Sequence, residues 1–221
     1  MKRKSMNGIA QKIAVNALEM PAFKQSLETH KRAFGPLVEH VFEEDAPSLV
    51  HFVNALNKLS RGDAAGSHAL LSALKKTADT EDDHAALLFF EGLAYETMGE
   101  RQEALALYTE AVAHNDRCYL TRVKMAKLLH TSGNFSDAAE NYRAALRCLE
   151  VFPYGDNVPT VTASVCMNLA TCLAHMKDYD QALVWIEKSK QARLNLPGRD
   201  AIEGQILEAM KKSEAADCQS C

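Results

Sequence analysis

Between residues 48 and 152 the chain contains no proline, and its apolar residues recur at helical rather than alternating intervals. Leu88, Ala94 and Tyr95 form one such set, and Leu105, Tyr108, Ala111 and Val112 another. At 3.6 residues per turn these spacings gather on one buried stripe, whereas a half-buried strand needs strict alternation. β-Branched runs are missing, and Ala, Leu, Glu and Lys, which lose little side-chain freedom in a helix, fill the stretch. The pattern predicts an all-α chain. Upstream, Gly8–Met20 and Ala22–Glu44 read as two or three more helices, punctuated by Pro21, Gly35 and Pro36. Downstream, Asp200 is expected to cap a helix whose Ile202, Ile206, Leu207 and Met210 share one face, with Lys211 and Lys212 near its end.

The helical stretch repeats itself. Adding 34 to Gly92, Tyr95, Gly99, Ala104, Tyr108 and Ala111 gives Ala126, Leu129, Gly133, Ala138, Tyr142 and Ala145, small or bulky in step with their mates. A further 44 gives Ala170, Leu173, Lys177, Ala182, Ile186 and Ser189, once the segment Val151–Pro159 is counted as an insertion of about ten residues. Small residues at Gly92, Ala126 and Ala170 let two helices approach closely, and the larger residue three positions later fills the space beside them. Gly99 and Gly133 are expected to end the first helix of each pair in a left-handed conformation.

These segments resemble tetratricopeptide repeats, a family of stacked helical hairpins with small residues at repeat positions 8, 20 and 27 and large ones at 4, 7, 11, 17 and 24. Ala85–Cys118 and Tyr119–Phe152 satisfy most of that pattern. The third copy, from Ala163 to about Leu196, departs at Lys177 and Ser189. A degenerate copy precedes them, with Ala55, Gly62, Leu71 and Leu74 in place and Lys58 and Ser67 fitting poorly. The resemblance implies a right-handed superhelical solenoid of antiparallel helix pairs. Its expected parts are N-terminal helices over 1–47, a degenerate repeat over 48–84, three repeats over 85–196 with the insertion at 151–159, a capping helix over 197–215 and a flexible tail over 216–221. An end helix with a solvated outer face suits a stack whose last repeat has only one neighbour.

The resemblance also implies a binding face. In the family the first helix of each pair lines a concave groove through positions 2, 5, 9, 12 and 13. Carried over, these are Ala86, Phe89, Leu93, Glu96 and Thr97, then Leu120, Val123, Lys127, His130 and Thr131, then Ser164, Met167, Thr171, Ala174 and His175. The degenerate copy adds Leu49, Phe52, Leu56 and Leu59. Phe89, Leu93, Ser164 and Met167 occupy positions where the family's carboxylate clamp needs Lys, Arg or Asn, so a clamp is not expected despite Lys124 and Asn168. So apolar a face points to an amphipathic helix or apolar segment of another protein as partner, with Phe89, Leu93, Val123 and Met167 as its hot spots. Two alternatives stand beside this adaptor reading: a chaperone-like holder of aggregation-prone clients, and a regulatory subunit whose groove its own helices fill.

Composition narrows the field further. The 221 residues carry 25 Lys and Arg against 29 Asp and Glu, a net charge of −4, which does not suit nucleic acid as a partner. No apolar run reaches membrane length, and MKRKS leads into a polar stretch rather than a secretory core, so a cytoplasmic protein is expected. The six cysteines then read as reduced thiols, mostly small core residues. HExxH, GxSxG, GxxxxGK[ST] and GxGxxG are absent and the eight histidines are dispersed, so neither catalysis, a metal nor a cofactor is expected. Cys218 and Cys221 form a terminal CQSC whose competing readings are redox pair, metal ligands, lipidation at Cys218 and plain tail. The DTEDD run at 79–83 reads as a solvated loop favouring the next helix N-terminus, and Met176 and Trp185 as repeat core.

Overall fold

A computed structural model of the chain describes residue 11 and residues 14–153 and 157–219. MKRKS, the start of the expected Gly8 helix, the middle of the 151–159 insertion and the terminal Cys221 lie outside the described residues. The helices among them are α1 (Pro21–Phe34), α2 (Pro36–Glu39), α3 (Ala46–Ser60), α4 (Ala64–Leu74), α5 (Glu81–Met98), α6 (Arg101–His114), α7 (Tyr119–Thr131), α8 (Phe135–Val151), α9 (Val158–His175), α10 (Tyr179–Ala192) and α11 (Arg199–Gln219). Residues 14–18 are also helical, and no strand occurs among the described residues. The all-α expectation holds. The chain divides into two compact units, Met1–Cys118 and Tyr119–Cys221, so the boundary falls between the two copies that are 34 residues apart.

In each unit the repeat shows as a pair of antiparallel helices closed by the same turn. Gly62, Gly99 and Gly133 adopt φ values of 83°, 87° and 81°, and Lys177 takes 64° at the equivalent place. Every one of these four turns makes the same two hydrogen bonds. The turn residue's N–H donates three residues back, to Leu59, Glu96, His130 and Ala174, and the following N–H donates five residues back, to Lys58, Tyr95, Leu129 and Leu173. This pair of hydrogen bonds satisfies carbonyls that a helix end leaves open. It also places the degenerate copy on the same footing as the others. Asp63 and Asp178 then cap the second helices, accepting from the N–H groups of Gly66 and Gln181.

The small positions do what their size predicts. A Cβ on Gly92 would lie 2.5 Å from Cε1 of Tyr108, so the aromatic ring of α6 rests on the bare backbone of α5. Ala126 and Tyr142 on α7 and α8, and Ala170 and Ile186 on α9 and α10, are likewise wholly buried. Ser189 stands where the other copies have alanine. Its buried hydroxyl donates to the Ala163 carbonyl at 2.8 Å, so the polar group is satisfied across the pair without a gap.

In the first unit α3 pairs with α4 and α5 with α6, while α4 also packs on α5. In the second, α7 pairs with α8 and α9 with α10, α8 packs on α9, and α11 covers α9 and α10. Of the inserted segment, Val151 ends α8 and Val158 and Pro159 open α9. Val151 and Phe152 at the end of α8 remain exposed.

Three local expectations change. Helix α11 starts at Arg199 rather than after an Asp200 cap, because the buried Arg199 guanidinium donates to the carbonyls of Arg193 and Leu194 and anchors the turn itself. Asp200 stays almost wholly exposed. On α11 the inward residue is Ile206, flanked by half-buried Ile202 and Met210, while Leu207 turns outward. Met176 lies in the exposed turn rather than in the core, and Trp185 is half-buried, with the Lys188 ammonium 3.9 Å from its ring centre.

Candidate functional site

The face expected to bind is occupied by the chain itself in the first unit. Helix α1 begins with Pro21, whose fixed φ and missing N–H suit the first turn, and its His30 and Phe34 lie one turn apart on the side that turns inward. It packs on α3, while the single turn α2 packs on α5. The segment thus crosses the first helices of two successive pairs. Phe34 meets Phe90 edge-on with ring centres 4.9 Å apart and Phe89 at 6.2 Å, and Phe42 meets Phe52 at 5.9 Å. Polar ties fix the arrangement: Ser26 donates to Asn57 Oδ1 at 2.8 Å, and His30 Nε2 lies 3.0 Å from the same oxygen.

Phe52, Leu56, Ala86 and Phe89, all expected to face the groove, are therefore buried, Phe89 to 1% exposure. Leu93 and Glu96 remain half-buried. The acidic run 79–83 stays exposed at Asp79, Glu81 and Asp82 and supplies the first turn of α5, as expected of carboxylates at a helix N-terminus; only Asp83 departs, by being buried. Buried Asp83 forms a reciprocal capping box with Thr80, and its Oδ1 also accepts the N–H of Phe42 at 2.9 Å, which holds that residue at a positive φ. Glu81 and Asp82 bind His114 and Asn115 at 2.6 and 2.7 Å.

In the second unit the equivalent positions stay accessible. Leu120, Val123 and His130 on α7, and Met167 and Thr171 on α9, are half-buried, and Lys127 and His175 are exposed. None of them is covered as Phe89 is. His130 and His175, far apart in sequence, come together with ring centres 5.9 Å apart. Phe135, at the start of α8, stacks flat on His175 at 4.2 Å and meets His130 edge-on at 5.5 Å. Partial burial, and then the neighbouring His175, hold the His130 imidazole below its ordinary pKa. Beside this trio a pocket of about 180 Å³ opens between α9 and α11, walled by Thr171, Ala174 and His175 on one side and Ile202, Gln205, Ile206 and Ala209 on the other. The Thr171 hydroxyl is already spent on the Met167 carbonyl, so the lining is mostly apolar.

Other chemistry is structural in character. No group of three or more metal-ligating side chains occurs among the described residues. Burial pushes the Cys166 and Cys172 thiols up to about 11, which keeps them protonated and unreactive. Besides Arg199, Glu91 is a buried charge not anticipated from the sequence. Glu91 on α5 is 1% exposed, accepts from the Ser72 hydroxyl at 2.7 Å and pairs with Lys75 Nζ at 2.5 Å. Its signal was a lone carboxylate inside the apolar run AALLFFEGLA, which only a partner from α4 explains.

Residues 163–195 match the family model for a tetratricopeptide repeat. That segment, the third copy, is therefore a tetratricopeptide repeat. Solved structures carry the same fold. BtubC (BKLC) from P. vanneervenii is similar at a TM-score of 0.62 and 19% identity, over 87% of this chain and 87% of that one. YrrB, a tetratricopeptide protein with an unusual peptide-binding site, is similar at 0.55 and 17%, over 91% of this chain and 90% of its own. No curated protein matches the sequence. The family match covers the copy that departs most from the pattern at its turn and its last small position, so Lys177 and Ser189 are variations within a repeat. Among the described residues no helix is long and apolar enough to cross a membrane.

Proposed function

We infer that this protein is a non-enzymatic adaptor that holds an amphipathic helix or apolar segment of another protein, and that the open binding face belongs to the second unit. One observation carries this reading. The same repeat position is sealed at Phe89 by the chain's own Phe34 in the first unit, yet lies accessible at Val123 on α7 and Met167 on α9. Burying partly apolar, partly accessible positions such as Val123 and Met167 against a partner supplies the driving force for association. The similarity to YrrB supports the fold on which such a face is built. The first unit supports a second reading for its own groove, that of a closed, self-filled surface.

Because Phe89 is buried, a charge placed there would unfold the unit instead of testing the site. The informative variant is Val123→Glu with Met167→Glu. Affinity capture from native lysate, after circular dichroism shows equal helicity, should lose its specific partners in this variant. Identical partner sets for the variant and the wild-type protein would remove the second unit's face from consideration.

A further inference from the structure

We propose that the pocket between α9 and α11 is the anchor of that face, taking one large apolar side chain from a partner segment that carries carboxylates beside it. This deepens the adaptor reading and rests on it. The volume sets the size of the guest. A cavity of about 180 Å³ exceeds the roughly 150 Å³ known to accept a benzene ring. It suits one Leu, Met or Phe side chain rather than a whole helix. Its floor is the buried Ile206, and Ala174, Ile202 and Ala209 add apolar wall. One rim is His175, whose ring is held in place by stacking on Phe135, so the opening is built before a ligand arrives.

Charge sets the second half. The chain as a whole is acidic, at −4, yet α7 and α9 contain no Asp or Glu at all. Their charged residues are Arg122 and Lys124, which have partners of their own, and the exposed Lys127, and each of the two helices ends near a histidine, His130 and His175. The carboxylates of the paired helices, among them Asp137, Glu140, Asp180 and Glu187, belong to α8 and α10. On α11, Glu203 and Glu208 are engaged by Lys190 and Lys212, and Asp200, Glu214 and Asp217 fall before and after the stretch Ile202–Ala209 that lines the pocket. Lys127 is exposed one turn before His130, which in turn touches the rim residue His175. A ligand seated in the pocket and running toward α7 therefore meets positive charge, which favours acidic flanks and penalises basic ones.

The test pans a random-peptide phage library on the full chain and measures the enriched peptides by fluorescence anisotropy. Enriched sequences should share one large apolar residue with Asp or Glu within about a helical turn of it. Filling the pocket with Ala209→Phe should weaken them about tenfold or more, and Lys127→Glu should weaken them and shift a new selection toward basic flanks. Gln205→Trp fills the same pocket from an exposed position, in case Ala209→Phe disturbs folding. Peptides that bind and are lost on Val123→Glu with Met167→Glu, but ignore both pocket-filling variants or carry no acidic preference, would overturn the anchor while leaving the open face standing. No enrichment on the wild-type chain would overturn both.

Discussion

Replacing Lys177 with glycine should stabilise the protein. Lys177 holds φ at 64° where Gly62, Gly99 and Gly133 hold 83°, 87° and 81°, and its turn makes the same two backbone hydrogen bonds as theirs. An L-residue in this region costs roughly 1–2 kcal/mol. Glycine avoids that cost but loses roughly 0.5–1 kcal/mol through its freer unfolded chain. The net gain is about 0.5–1 kcal/mol. The reverse change, Gly133→Lys, should cost as much, because a Cβ added there meets nothing within 4 Å and the penalty is conformational alone. Both positions lie in the second unit, so they report on the same structure. Urea unfolding followed by circular dichroism reads each change as a shifted midpoint at unchanged slope, and 1 kcal/mol corresponds to roughly 2–4 °C in Tm for a chain of this size. A lowered midpoint for Lys177→Gly, or an unmoved one for Gly133→Lys, would refute the argument that the turn's handedness limits this position.

Three further outcomes are expected. Lys75→Met should leave the buried Glu91 carboxylate with only the Ser72 hydroxyl and His68 beside it and cost on the order of 2 kcal/mol, the low side for a buried pair because those partners remain and Lys75 is 42% exposed. Adding Glu91→Met should recover most of it, and a double-mutant cycle in urea showing no coupling would dismiss the pair. Phe34→Ala should loosen α1 from the first unit, raising hydrogen exchange across residues 21–34 and binding of a hydrophobic dye as Phe89 and Phe90 open; unchanged exchange would mean that Phe34 does not hold the groove shut. His130, held below its ordinary pKa of 6.5, takes up its proton more readily when unfolded. Its contribution to stability is full above pH 6.5 and is lost as pH falls through the lower folded value, and His130→Phe should remove that part of the acid sensitivity. Proton NMR titration should find the His130 value below 6.5 and raised by His175→Phe; an ordinary value would remove the effect.

The repeat, the helix pairs and their turns were legible in the sequence because they depend on local spacing. A small residue, a bulky one and a glycine at fixed offsets specify a hairpin wherever it occurs, and the turn at Lys177 follows the same rule with a less suitable residue. The candidate face was legible only as a set of positions. Phe89 and Met167 occupy the same repeat position, and nothing in either helix distinguishes them.

By itself, then, the sequence determined an all-α chain of repeated antiparallel pairs, since periodicity and turn chemistry act over a few residues. The tertiary structure alone decided which apolar stripe is covered, because an amphipathic helix has the same pattern whether its cover is its own chain or a partner. It placed Phe34 over Phe89, brought Lys75 and Ser72 to Glu91, and joined His130 to His175 beside an open pocket. Each of these meetings joins side chains of different helices, whose separation is set by packing geometry rather than by spacing along the chain.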